Sequence, residues 1–286
     1  MSGEFANLST VVENDVSRAL AEDVGSGDLT AQLLPADQRA HATVISRVPA
    51  VICGVAWFNA CFRKLDPQLD IQWSASSGDG NAVQANQQLC TLGGNVRALL
   101  TGERVALNFL QTLSAVATET RRYVEAIKGT HAQIVDTRKT LPGLRIAEKY
   151  AVRVGGGANH RIGLFDGILI KENHIVAAGG IEAALMEAQR IAPPGVWIQI
   201  EVENLKQLYE AVAAGAKMIL LDNMNLGQLR EAVKLAAGRA QLEASGGVML
   251  GNVRSIAETG VDRISIGSLT KDIQAVDLSM RFETNN

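Results

Sequence analysis

The chain has 286 residues, 47% hydrophobic and 20% charged, with a net charge of −3. That balance excludes a disordered chain, and the acidic total argues against a general nucleic-acid binder, which carries a broad basic surface. The apolar runs are short and interrupted, and residues 1–10 lack a basic start followed by an apolar stretch, so neither a membrane span nor a signal peptide is expected.

In chain order, Leu8 to Asp23 reads as a helix ahead of Gly25-Ser26-Gly27-Asp28. Strand-like Ala42 to Arg47, helix Val55 to Leu65, strand Leu69 to Trp73 and the turn Gly78-Asp79-Gly80 follow, as in a compact α/β module. Cys53, Cys61 and Cys90 are odd in number and lack C-x-x-C spacing, so they are expected as plain core thiols in a reducing cytosol. A long helical stretch, Ala98 to Ile127, carries Arg104 near its start and leads into the second half.

There one unit repeats: a short apolar run ending polar, an amphipathic helix, then glycine. The expected strands are Gln133 to Arg138, Gly167 to Lys171, Val196 to Val202, Lys217 to Asp222, Ala240 to Ser245 and Val261 to Gly267. Gly215, Gly238 and Gly260 stand where helix C-terminal caps belong. Such alternation makes a parallel sheet, closed as a barrel or open and doubly wound. Without G-x-G-x-x-G at the first strand-to-helix turn the dinucleotide fold loses weight, and a barrel of fewer than eight strands is favoured.

Side chains at the carboxyl ends of barrel strands face the chemistry. The first strand delivers Asp136, Arg138 and Lys139, the second Lys171 and Glu172, the third Glu201 and Glu203, the fourth Asp222. One such charge is an ordinary solvated boundary. Four strands in succession call for a ligand that neutralises them.

From Arg138 to Lys171 seven basic residues stand against two acidic ones. Arg145, Lys149 and Arg153, four apart, read as a solvated helix face. Arginine with lysine suits carboxylates or phosphates, and Glu201 with Asp222 suits sugar hydroxyls or Mg²⁺, directly or through water. Gly246-Gly247 and Gly267 sit where backbone N–H groups can cradle a phosphate, although a glycine pair is more often a tight turn. Gly155-Gly156-Gly157 either breaks a helix beside a ligand or makes a mobile loop, with His160 and Arg161 just after it. His41, His131 and His174 are expected as structural or exposed.

Read in order, Asp136 to Arg145 (DTRKTLPGLR), Glu148 to Val152, Gly155 to Arg161 (GGGANHR) and Leu169 to Ile175 (LIKENHI) resemble the signature segments of quinolinate phosphoribosyltransferases. Thr101 to Arg104, Ala106 to Phe109, Glu201 to Asn204, Leu221 to Asn223 and Leu278-Ser279 extend the likeness over essentially the whole chain. The resemblance implies an α/β fold: an N-terminal α/β sandwich domain and an incomplete β/α barrel. On that plan residues 1–110 form the sandwich, 111–271 the barrel, and the tail from about 272 to 286 completes the sandwich.

The resemblance also implies transfer of phosphoribose from phosphoribosyl pyrophosphate to quinolinate with loss of CO₂, in a Mg²⁺-dependent, cytoplasmic homodimer. Arg104 would be donated to the neighbouring active site, joining Thr137, Arg138, Lys139, His160, Arg161 and Lys171 around quinolinate. Glu201 and Asp222 would serve the ribose and Mg²⁺, with Ser245, Gly246, Gly247, Gly267 and Ser268 on the 5′-phosphate. Lys139, Lys171, Glu201 and Asp222 are the residues given catalytic roles. Ala115 departs from the usual glycine, and Lys271 stands where some members carry histidine. Competing readings are a molybdenum-transport paralogue of the same fold, a Schiff-base lyase using Lys139 or Lys171, and a non-catalytic phosphate-binding barrel.

Overall fold

The computed structural model describes residues 7–283, which group into two compact units. The first takes the described residues of 1–119, 141–156 and 272–286, and the second takes 120–140 and 157–271.

In the first unit, helices α1 (Leu8–Val24), α2 (Val55–Leu65), α3 (Val96–Ala126, whose last residues belong to the second unit) and α4 (Arg145–Val154) accompany strands β1 (Arg39–Ser46), β2 (Ala50–Val51), β3 (Asp70–Trp73), β4 (Ala82–Val83) and β5 (Gln88–Asn95). The chain's last strand, β12 (Leu278–Phe282), pairs antiparallel with β1, giving a four-stranded sheet in the order β12-β1-β5-β3. α2 buries Trp57, Phe58, Cys61 and Phe62 at helical spacing, and Phe58 meets Phe62 and Trp73 edge-on at 5.1 and 5.3 Å. Gly102 lets α3 approach this cluster, since a Cβ there would lie 2.9 Å from the Phe62 ring. All three cysteines are buried free thiols in this unit, and desolvation pushes the Cys61 thiol up to about 12.

Two expectations are corrected here. Lys149 does not lie on a solvated face: it is fully buried beside Glu148, Ala151 and Val152, whereas Arg153 is exposed. The boundary expected between 110 and 111 falls inside α3, and residues 141–156 belong with the first unit. The reason is packing, since Ala147, Ala151 and Val152 join the core that contains Val12, Val16 and Trp57, and Arg18 donates to the Gly143 carbonyl at 3.1 Å.

The second unit contains strands β6 (Gln133–Val135), β7 (Gly167–Ile170), β8 (Trp197–Val202), β9 (Met218–Asp222), β10 (Gln241–Ser245) and β11 (Arg263–Ser265). Between or after them come α5 (Glu172–Ala178), α6 (Ile181–Ile191), α7 (Leu205–Ala213), α8 (Leu226–Ala236), α9 (Val253–Ala257) and α10 (Ser268–Lys271). The strands form one parallel sheet in the order β6-β11-β10-β9-β8-β7, with barrel-like βα alternation and six strands instead of eight. Gly215 and Gly238 close α7 and α8 at φ +82° and +73°, the left-handed conformation a terminating glycine supplies.

Strand alternation sets the two faces apart. Ile200, Val202, Ile219, Leu221, Leu242, Ala244 and Ile264 pack with Leu185, Leu208, Ala211, Leu229 and Ala232 of the helices. Alternate positions, Gln199 and Glu201, Asp222, Glu243 and Ser245, Arg263 and Ser265, make the opposite face polar. β6 and β11 are shorter than expected, ending at Val135 and Ser265. Just beyond Val135 the buried Asp136 side chain accepts from the Asn159 amide and the His160 N–H.

Candidate active site

The second unit carries every site residue expected from the sequence except Arg104, which is exposed on the part of α3 that belongs to the first unit. The site is built on the loop after β6. Asp136 is fully buried and accepts from the Asn159 amide and, at 2.8 Å, from the His160 backbone N–H. Ala158 forms a parallel bridge with Val135, its N–H donating to the Ile134 carbonyl at 2.8 Å. Arg161 Nη1 donates to the Gly167 carbonyl on β7 at 3.0 Å. Residues 158–161 thus link the two edge strands of the six-stranded sheet. The glycine run has resolved as a helix end: the Gly155 N–H bonds the Ala151 carbonyl and closes α4, and Gly156 takes φ +96°.

Within this link Arg161 lies near enough to Arg138 to feel its charge. Arg161 is 9% exposed, and burial first, the neighbouring Arg138 charge second, disfavour its cation, with Asp166 acting in the opposite sense. Lys139 is exposed and held by its backbone: its N–H donates to Thr137 Oγ1 at 3.1 Å, and its carbonyl accepts from Thr270 Oγ1 at 2.7 Å. The Lys139 side chain lies over Gly267, next to α10, which opens at Ser268.

At the far side of the sheet Lys171 Nζ stands 3.2 Å from Glu201 Oε2. Asp222 ends β9 and accepts from the Asn223 side-chain amide at 2.8 Å. Asn223 takes φ +54° and donates its N–H to the Ser245 carbonyl, and a Cβ at Gly246 would collide with its amide. Gly246 and Gly247 follow with φ +95° and +59°, but a loop separates them from α9, so they form a turn of their own and do not open that helix. The Gly247 carbonyl accepts from Asn252 Nδ2. Among the described residues no three His, Cys, Asp or Glu side chains gather as a metal-holding group. Glu201 and Asp222 offer carboxylate oxygens on adjacent strands, the donor type a hard divalent cation takes, with its remaining ligands left to water or substrate.

Sequence reasoning missed a layer beneath these residues. Gln199 and Glu243, each 1% exposed, and Arg263 lie on the polar face: Gln199 Nε2 donates to Glu243 Oε2 at 3.1 Å, and Arg263 Nε is 3.1 Å from the same oxygen. His160 Nε2 is 2.9 Å from Gln199 Oε1, and its ring meets Trp197 edge-on at 5.0 Å. The signal was present: in Trp197–Val202 and Gln241–Ser245 polar residues occupy alternate positions well inside the strand, as a polar barrel interior requires.

Two family models cover most of the chain. The description "Quinolinate phosphoribosyl transferase, N-terminal domain" matches residues 28–114, and "Quinolinate phosphoribosyl transferase, C-terminal domain" matches residues 116–281. The chain belongs to the quinolinate phosphoribosyltransferase family. Within the family it is 42% identical to a probable nicotinate-nucleotide pyrophosphorylase (carboxylating) of Synechocystis, over 96% of this chain and 94% of the relative. It is likewise 42% identical to the Bacillus subtilis protein of the same description, over 93% and 91%. The structure of the nicotinate-nucleotide pyrophosphorylase from Francisella tularensis superposes with a TM-score of 0.92 at 44% identity, covering 96% of this chain and 97% of that one. No described helix is long and apolar enough to cross a membrane.

Proposed function

We propose that this quinolinate phosphoribosyltransferase family member makes nicotinate mononucleotide from quinolinate and phosphoribosyl pyrophosphate, a step of de novo NAD biosynthesis. The observation that carries the reading is the pairing of buried Arg161 with Arg138 at the carboxyl end of a parallel sheet, with Lys139 and Lys171 also on that end. Arg161 is buried and Arg138 half-buried, and two neighbouring cations at one end of a sheet suit an anionic substrate. A substrate with two adjacent carboxylates fits that description.

Arg138, Arg161, Lys139 and Lys171, with Thr137 and His160, would surround quinolinate, and Arg104 would be donated by a second copy of the chain in a homodimer. The ring nitrogen forms a bond to ribose C1 as the C1–O bond to pyrophosphate breaks, through an oxocarbenium-like state. The 2-carboxylate then leaves as CO₂, and a proton replaces it at C2. Glu201 and Asp222 would face the developing positive charge, as carboxylates do in glycoside cleavage. The same two side chains would hold Mg²⁺, directly or through water, and its chemistry is to neutralise the departing pyrophosphate. Lys139 adds positive charge at the same end of the sheet. The turn at Ser245, Gly246 and Gly247, with Gly267 and Ser268, would take the 5′-phosphate through backbone N–H groups. Three buried free thiols suit a reducing, cytoplasmic setting.

The test is one incubation of quinolinate, phosphoribosyl pyrophosphate and Mg²⁺ with the purified chain. Equimolar pyrophosphate, CO₂ and nicotinate mononucleotide are expected. Absence of all three would turn attention to a paralogue with another substrate, and borohydride trapping of a carbonyl compound on Lys139 or Lys171 would instead support a Schiff-base lyase.

A further inference from the structure

Lys171 occupies the N-cap of α5, a position that Ser, Thr, Asp and Asn favour because a side-chain oxygen there accepts a backbone N–H of the first turn. The next two strand-to-helix junctions follow that rule. Ahead of α7 and α8, Asn204 Oδ1 accepts the Gln207 N–H and Asn225 Oδ1 accepts the Gln228 N–H, each at 3.0 Å. The glutamines reciprocate from the helix: Gln207 Oε1 accepts the Glu203 N–H at 2.8 Å, and Gln228 Oε1 accepts the Asn225 N–H at 2.9 Å. An ammonium donates and cannot accept, so Lys171 is unable to perform the first half of this exchange.

His174 performs the second half. From the third position of α5 its Nδ1 accepts the Lys171 N–H at 2.9 Å, and its own backbone N–H donates to the Lys171 carbonyl at 2.8 Å. Lys171 stands one residue past the pair of Ile170 with Ile200, and β7 is an edge strand, so this cap ties down backbone that the ladder no longer holds. The side chain that forgoes capping reaches to β8, where Nζ lies 3.2 Å from Glu201 Oε2.

We infer that His174 is a positioning residue for Lys171, fixing the backbone from which the ammonium reaches quinolinate, a role of Lys171 that rests on the proposed function. The bond needs Nδ1 without a proton, so the neutral ring carries its proton on Nε2. Glutamine at the same helix position does equivalent work at Gln228, and His174→Gln therefore keeps the cap while His174→Leu removes it.

The test is a double-mutant cycle read in kcat/KM for quinolinate. His174→Leu is expected to lower it about fivefold, the loss of one neutral hydrogen bond, and His174→Gln to stay within about twofold of the parent. In a Lys171→Ala background His174→Leu is expected to change the value by less than about twofold, because the ammonium it serves is gone. An equal loss in both backgrounds would mean a cap that serves the fold alone and would overturn the inference. So would an undiminished kcat/KM in His174→Leu, or a glutamine variant as impaired as the leucine one.

Should the leucine variant fail to fold, nitrogen-15 spectra of the unmodified chain decide. With His174 assigned by loss of its signals in His174→Gln, its ring is expected to be the Nε2–H tautomer in mildly alkaline buffer, before and after saturation with quinolinate. An Nδ1–H tautomer in either state refutes the cap. Failure of the proposed function shows differently, as absence of product from the unmodified chain.

Discussion

The Lys139 side chain crosses Gly267 so closely that a Cβ added to the glycine would lie 2.9 Å from Lys139 Cδ. Gly267 is thus not needed for an unusual backbone angle but for the space its missing side chain leaves. Gly267→Ala is expected to move the lysine and lower kcat/KM by about tenfold, the loss of one charge-assisted contact. The melting temperature is expected to change by no more than about 2 °C, since only a flexible side chain must shift. Steady-state kinetics beside thermal melting check both halves; full activity would remove Lys139 in this position from the chemistry.

Lys171 and Glu201 separate function from stability in another way. Their 3.2 Å pair leaves the lysine 52% exposed, so its contribution to folding is under about 1 kcal/mol. Lys171→Ala is expected to melt like the parent yet lose roughly ten- to a hundred-fold in kcat/KM for quinolinate. A variant that loses stability and keeps activity would invert the assignment.

Two neighbouring guanidinium groups also set a preference among pyridine acids. Nicotinate supplies one carboxylate where the proposed site takes two, and leaving the buried Arg161 cation short of its substrate contact would cost about 3 to 5 kcal/mol. Competition between the acids is expected to favour quinolinate by a hundred-fold or more in kcat/KM. Comparable turnover of nicotinate would count against the two-carboxylate reading.

Much of this geometry was legible in the chain. Polar residues closing short apolar runs gave the strand ends, so Lys171, Glu201, Asp222 and Ser245 lie where the repeat put them. Strand β5, which carries Gly93 and Gly94, has no counterpart among the elements expected from the sequence. In the fold they are where His41 and Leu69 press against the backbone, with a Cβ meeting them at 3.0 and 2.9 Å. Lys149 was misplaced because charge spacing on one helix says nothing of what covers it. Gln199, Glu243 and Arg263 went unnoticed because local pattern shows alternation but not that the alternate face closes on itself.

Mg²⁺ is expected to matter for rate and not for folding. Among the described residues no three-ligand cluster would lock a cation into the fold, and Glu201 with Asp222 leaves most coordination to substrate and water. EDTA is expected to abolish turnover, Mg²⁺ to restore it, and neither to shift the melting temperature. A chelator-induced drop in melting temperature would point to a structural metal.

Glu148 gives the first unit a pH dependence of its own. Its side chain is fully buried on α4, and desolvation pushes its carboxyl up to about 8, against the opposing effects of the Leu141 N–H at 3.2 Å and the Arg145 charge. Between the unfolded value of 4.5 and about 8 the folded chain therefore holds a proton the unfolded chain has released. Stability from this group is full below that window and falls as pH rises through it. Glu148→Gln keeps a neutral side chain of the same shape with an oxygen for the Leu141 N–H, so it removes the slope. Urea melts at pH 5 and pH 8 are expected to show the variant gaining on the parent at the higher pH. Parallel stability curves would mean that the carboxyl ionises in the fold without cost, and that buried Lys149 or another group neutralises it.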